Sequence, residues 1–405
     1  MMMIKRTNYL KTLQGWRDKQ VIKIVTGVRR CGKSTLFLQY IDFLLAEGVK
    51  REQIIYINLE DLAFESLLDY RELHNYIAKR LIKSEMTYVF LDEVQQCLNF
   101  EKAVDSLYIK ENVDLYITGS NANLLSGELA TLLSGRYVLI EMLPLSFKEF
   151  ATSGAVSEPV REQFNRYLRF GSFPFLTQLE ESESIFRTYI EGIYSTILLK
   201  DVASREGIAD ITLLEDIIRF LSSSIGSPIS AKRISDGINA SGRKVSVNTV
   251  DKYLKALTES YIFYKADRFD IKGRNLLKTL SKYYIVDTGL RNYLLPPASP
   301  DLGHQIENIV YLELLRRDFR VNVGKVGNRE VDFVASDKNQ LIYFQVATTV
   351  LSEETLKREL EAFSGIPDDF PRVLLTLDDI PAYANHGGVH QIYLLDWLLE
   401  MNRTY

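Results

Sequence analysis

Residues 22–38 read IKIVTGVRRCGKSTLFL, and their reading decides the fold. The apolar run at 21–25 predicts a buried strand, and Gly27, Gly32, Lys33 and Ser34 then stand at the fixed positions of G-x-x-x-x-G-K-[ST]. Between a strand and a helix, that pattern is a phosphate-binding loop. Glycines let consecutive backbone N–H groups curl around phosphates, and the helix that follows turns its positive end toward them. Lys33 is placed to reach the outer phosphates and Ser34 to hold Mg2+, while Arg29, Arg30, Cys31 and Thr35 complete the loop. One of the two arginines is set to touch phosphate or a neighbouring subunit, or else to pack against Asp92 or Glu93. Cys31 fills a small space, although a thiol beside phosphate-binding amides has reason to show a lowered pKa.

Outward from the loop, segments rich in β-branched and aromatic residues at 21–26, 54–59, 88–91, 115–118 and 137–141 alternate with helical ones. Alternation predicts an α/β fold, a parallel sheet with helices on both faces and ligands at the strand ends. The third segment runs directly into Asp92 and Glu93. Successive residues of a strand face opposite sides, so the two acids have different work. Asp92 supports Mg2+ through water, and Glu93 orients or deprotonates an attacking water. After the fourth segment come Ser120 and Asn121, either of which is in place to bond the γ-phosphate or the attacking water, or simply to cap a turn. Before the loop, Tyr9, Leu13 and Trp16 at helical spacing read as core contacts of an amphipathic lead-in.

The loop at 27–34, the acids after Leu91 and the run Thr118-Gly119-Ser120 together resemble the AAA+ class of ATPases. More narrowly, GVRRCGKST (27–35), LDEVQ (91–95), LSGRY (133–137) and PLSFKEF (144–150) look like a prokaryotic AAA+ family of about this length. Its members end in an uncharacterised carboxy-terminal domain. The resemblance covers nearly the whole chain and implies binding and hydrolysis of ATP with Mg2+. It also singles out Arg136, just before the fifth strand. That residue is either an arginine reaching a neighbouring subunit's nucleotide, which would make the protein a homo-oligomer, or half of a structural salt bridge.

The 405 residues allow several domains, and 46% apolar with 25% charged residues describes a chain with ample core. A net charge of −4 carries no global basic signature, so any nucleic-acid contact must come from a local patch. Two cysteines, Cys31 and Cys97, are too few for a disulfide framework and too far apart for a zinc pattern, which fits the cytoplasm of a reducing cell. No signal-peptide core and no membrane-spanning apolar run is evident.

The ATPase core is expected at 1–150 and a small helical region at 151–205, broken at FGSFP (170–174), which resembles a Gly-Phe-Pro turn of the family. Residues 206–295 carry a helix at 211–221, a short helix opening at 228–231, a turn at 241–244, a helix at 247–260 and β-like segments at 262–268 and 283–286. This order resembles the winged-helix domains of DNA-binding proteins. On the second helix Val250, Leu254, Leu257 and Tyr261 share the buried face, leaving Asn248, Thr249, Lys252 and Lys255 outside. From 232 to 282 stand twelve basic residues, Arg243, Lys244 and Lys282 among them, against five acids, which is the local patch sought. DNA is the expected partner, and a protein partner the alternative.

A linker at 296–300 leads to residues 301–405, where helix, three strands, helix and strand resemble the restriction-endonuclease fold. Active members carry an acid on the second strand and an acid-x-lysine pair on the third. Asp332 fits the first position and Glu307 the accessory acid, but Gln345 and Ala347 stand where the acid and lysine belong. Glutamine is no anionic metal ligand and alanine activates no water, so this domain is expected to be nuclease-like without nuclease activity.

Overall fold

The computed structural model describes residues 4–121, 133, 135–153, 158–179, 182–204, 207–296, 301–380 and 384–400. The linker residues at 297–300, Ser134 and the side chain of Lys278 lie outside the described residues. The chain divides into two compact units, residues 1–144 with 259–261 and residues 145–258 with 262–405.

The first unit runs α1 (Thr7–Gly15), β1 (Ile22–Thr26), α2 (Lys33–Ala46), β2 (Ile54–Asn58), α3 (Tyr70–Ala78), β3 (Thr87–Asp92), α4 (Phe100–Tyr108), β4 (Val113–Gly119) and β5 (Tyr137–Glu141). All five expected strands form, and all pair in parallel in the order β2-β3-β4-β1-β5. Helices cover both faces of such a sheet, so its strands read as apolar runs, and every residue of β1, β3 and β4 is buried. Lys23 interrupts the run in β1 and is wholly enclosed, its ammonium bonded to Asp114 of β4. Burial lowers the pKa of Lys23 against the pull of Asp114 and raises that of Asp114. On α1, Tyr9 and Leu13 enter the core, but Trp16 falls just past the helix end, half-buried with the Lys19 ammonium 5.2 Å from its ring.

The second unit runs α5 (Phe147–Ser153), α6 (Val160–Phe170), α7 (Glu183–Thr196), α8 (Ile211–Ser223), α9 (Ala231–Ala240), α10 (Val247–Glu259), β6 (Phe263–Asp270), β7 (Asn275–Ile285) and α11 (Thr288–Leu294). It continues with α12 (Leu302–Arg316), β8 (Arg320–Val326), β9 (Arg329–Ser336), β10 (Leu341–Ala347), α13 (Glu353–Glu361), β11 (Arg372–Thr376), β12 (Ala384–His386), β13 (Val389–Tyr393) and α14 (Leu394–Leu398). Both expected element orders are present. The final β12, β13 and α14 were not anticipated, because their short segments carry little periodicity.

The expected boundaries inside this unit are bridged by hydrogen bonds. The β6–β7 hairpin does not stand alone. It pairs in parallel with β8 and closes one edge of an eight-stranded sheet ordered β12-β13-β11-β10-β9-β8-β6-β7. The turn at 170–174 is gripped by Asp287, which accepts the N–H of Ser172 at 2.5 Å and its hydroxyl at 2.7 Å. A Cβ on Gly171 would lie 2.3 Å from Asp287 Oδ1, so that glycine is required by contact as well as by its φ of +92°. Among the described residues no helix is long and apolar enough to cross a membrane.

Candidate nucleotide site and a closed carboxylate cluster

Strand β1 delivers the chain into Gly27, whose φ is +144° and whose added Cβ would stand 2.1 Å from the carbonyl oxygen of Met142. Gly32, at φ +104°, begins α2, so the first-turn amides of a 14-residue helix open onto the loop. Lys33 Nζ donates to the carbonyls of Gly27 at 3.0 Å and Val28 at 3.3 Å, folding back over the loop that it serves. Ser34 and Thr35 are half-buried in the same turn.

Strand order explains the rest of the site. Because β4 lies between β1 and β3, its last residues fall between the phosphate loop and the two acids. Thr118 uses this position twice. Its hydroxyl donates to Asp92 Oδ1 at 2.5 Å and accepts the backbone N–H of Glu93 at 2.8 Å. Asp92 Oδ2 takes a second bond, at 3.0 Å, from the Tyr56 hydroxyl of β2. Glu93 has φ +52°, and its Oε1 lies 3.7 Å from Lys33 Nζ. Gln95 Nε2 reaches Glu93 Oε2 and, at 3.5 Å, the Ser120 hydroxyl. Ser120 and Asn121 are both buried at this lip. A hydroxyl and carboxylates are the hard oxygen donors that suit Mg2+.

Arg29 pairs with Glu60 at 2.9 Å, and Arg30 is exposed at φ +70°. Cys31 is fully enclosed, and burial raises its thiol pKa, outweighing the nearby Lys33 and Arg6, so a lowered value is not found. Arg136 bonds Asp105 of α4, with its guanidinium 5.5 Å from the Tyr108 ring, which is an ion pair inside the chain. Sequence reading missed Arg6. Buried, it donates to the carbonyl of Cys31 at 2.9 Å and to that of Leu143 at 2.6 Å, tying the back of the loop to the chain beyond β5.

In the second unit Val250, Leu254 and Leu257 are buried, Lys244, Asn248, Lys252 and Lys255 are exposed, and Thr249 is half-buried. Two members of the expected basic patch have acidic partners within the chain. Arg243 is tied to Asp210 at 2.5 Å and Asp216 at 3.1 Å, so its charge is already matched. Lys282 is buried among carboxylates.

That cluster unites the residues expected for a degenerate nuclease site. Lys282 Nζ of β7 lies 2.9 Å from Glu307 Oε1 of α12, 2.9 Å from Glu330 Oε1 and 3.8 Å from Asp332 Oδ1 of β9. Tyr284 adds its hydroxyl to Glu307 at 2.8 Å. Asp332 Oδ2 accepts the N–H of Val346, while Gln345 links the Asp332 N–H to Glu359 on α13. Burial, then Glu307, push the Asp332 carboxyl up to about 8 against the opposing pull of Lys282. Burial alone would lower the Lys282 pKa, but Glu307, Asp332 and Glu330 together hold it above its ordinary value. The ammonium therefore supplies positive charge among these acids. No spacing rule could have found it, since Lys282 comes from a strand at the far end of the sheet order. Among the described residues no three His, Cys, Asp or Glu side chains converge as a cation site.

A parallel sheet of this order with a phosphate loop and a paired-acid strand end defines an AAA+ ATPase. The AAA domain family matches residues 19–151, and a domain of unknown function matches residues 161–301. An uncharacterized protein of Haemophilus influenzae is 39% identical over 402 residues, 98% of this chain and 99% of its own. An uncharacterized protein of Methanocaldococcus jannaschii is 31% identical over 377 residues, 89% of this chain and 80% of its own. The solved Walker-type ATPase of Pyrococcus abyssi shares the fold at a TM-score of 0.51 and 15% identity, covering 72% of this chain and 96% of that one. The chain belongs to a prokaryotic family of AAA+ ATPases.

Proposed function

We propose that Gly27 to Thr35 cradle the phosphates of ATP and that Glu93 is the general base for hydrolysis. Lys33 exchanges its bonds to the Gly27 and Val28 carbonyls for the outer phosphates, and in doing so moves off Glu93. Ser34 and Asp92 would hold Mg2+, which when bound would neutralise charge on the outer phosphate oxygens. Glu93 takes a proton from water as the water oxygen attacks the γ-phosphorus, and the bond to the bridging oxygen breaks with its electron pair leaving on ADP. Ser120 and Asn121 face the γ-phosphate or that water. The observation that carries this reading is the meeting of Lys33, Asp92 and Glu93 around Thr118. The Arg136 pair with Asp105 favours the salt-bridge role over action on a neighbouring subunit.

For the second unit we infer a DNA-associated role, with nucleotide state altering how the α9–α10 region and its hairpin meet DNA. Exposed Lys244, Lys252 and Lys255 support it. A slow switch that binds a protein partner is the second reading, favoured by the neutralised Arg243 and the buried Lys282. Nuclease activity is not expected, given Gln345 and Ala347. Steady-state ATP hydrolysis with and without double- and single-stranded DNA, with Glu93→Gln as the blank, decides between them. Stimulation by DNA that vanishes in the blank supports the first reading, and turnover indifferent to DNA supports the second.

A further inference from the structure

Gln95, the last residue of LDEVQ, has no part in the scheme above, yet the local backbone is bent to bring it home. Glu93 sits in the left-handed region at φ +52°, a conformation that is strained for a non-glycine residue. Its N–H is pinned by the Thr118 hydroxyl at 2.8 Å. The short turn Val94–Gln96 then doubles back, so that the Gln95 amide meets the carboxylate two residues earlier.

The orientation of that amide is decided by its neighbour. A flipped amide would set its oxygen against the Glu93 carboxylate, so nitrogen faces Glu93 and Ser120. The other end, Gln95 Oε1, is buried and finds no hydrogen-bond donor among the described residues. Leaving a buried acceptor unmatched is unfavourable, so the amide is held in this orientation by its bonds to Glu93 and Ser120 rather than by its oxygen. A strained residue, an unmatched amide oxygen and a bond to the base thus coincide in three consecutive residues.

We propose that Gln95 is a positioning residue for hydrolysis, holding the Glu93 carboxylate in line and linking it to Ser120 at the end of β4. The inference rests on Glu93 being the base. With phosphates bound Lys33 leaves Glu93, and Gln95 is a partner that stays, fixing the direction from which the carboxylate receives the proton.

Two variants of the full chain test this, with ATP turnover and fluorescent-ATP binding as readouts. Gln95→Ala is expected to lower kcat on the order of 10- to 100-fold while KM and nucleotide affinity stay within about threefold, since only orientation is lost. Gln95→Met keeps the side-chain length but removes the amide donor, so it is expected to lose kcat as Gln95→Ala does, with KM and nucleotide affinity again within about threefold. A residue that merely filled space would keep its kcat in Gln95→Met. Turnover that needs Glu93 but is within twofold of wild type in Gln95→Ala or in Gln95→Met overturns the role of Gln95 alone. Turnover that survives Glu93→Gln overturns the base assignment and this inference with it.

Discussion

Thr118, at the end of β4, gives its hydroxyl proton to the carboxylate of Asp92 at the end of the neighbouring strand β3. The same oxygen receives the N–H of Glu93, so one hydroxyl registers both acids of the nucleotide site. Thr118→Val keeps the shape and removes both bonds. We expect kcat to fall about 10- to 100-fold with ATP affinity within a few-fold of wild type, because orientation rather than binding is lost. A variant with wild-type kcat would show that the acids are held without Thr118.

Gly27 is a test of the loop itself. A methyl group there would meet the Met142 carbonyl oxygen at 2.1 Å, and backbone on both sides leaves no flexible end to yield. Gly27→Ala is expected to lower the melting temperature and to weaken ATP binding by about 10-fold or more, the outcome of strain at a special φ. Calorimetric titration with ATP at wild-type affinity would remove the close approach to Met142 from the account.

How much of this was legible in the sequence follows from the range over which each feature acts. The phosphate loop and the DE pair are local, each within one strand and its turn, and both were read in place. Strand order was not legible, so nothing in Thr118 announced that it stands between the loop and the acids. Charged residues inside sheets were missed for the same reason. Lys23 was read into an apolar run although it needs Asp114 from β4 as its partner. Lys282 was counted as surface charge, because only the joining of the β6–β7 hairpin to β8 carries it toward Glu307, Glu330 and Asp332. Arg6, whose bond to the Leu143 carbonyl spans more than a hundred residues, offered no local signal at all.

The half-buried Asp332 gives the second unit a pH dependence of definite sign. The Asp332 carboxyl, pushed up to about 8, keeps a proton that the unfolded chain loses near the ordinary value of about 3.9. Between those values the folded state binds more protons, so this group's contribution makes stability fall as pH rises toward about 8 and level off above it. Asp332→Asn removes that contribution. Urea unfolding of both proteins from pH 5 to pH 9 should give a flatter profile for the variant, and parallel profiles would mean that Asp332 titrates normally.

Lys282 is the opposite case, a buried cation whose removal strands its partners. Lys282→Met leaves the buried Glu307 without its counter-charge, beside Glu330 and Asp332, and breaking a buried pair in this way costs about 3–5 kcal/mol. Adding Glu307→Gln should restore part of the loss, because the second change removes one of the uncompensated charges. A double variant no more stable than the single would show that packing, not charge, makes Lys282 necessary.

The DNA reading separates the exposed lysines of α10 from the arginine beside them. Lys252 and Lys255 lie on its outer face, so replacing both with alanine should weaken binding to duplex DNA and reduce the slope of log K against log salt by up to about 1.8, at roughly 0.9 for each phosphate no longer neutralised. Arg243 is already matched by Asp210 and Asp216. Arg243→Ala should therefore leave the salt slope in place and act, if at all, through the junction between α8 and the turn before α10. Equal weakening in both variants would mean that Arg243 exchanges its acids for phosphate. The absence of any salt-dependent binding in the wild type would move the second unit from DNA to a protein partner.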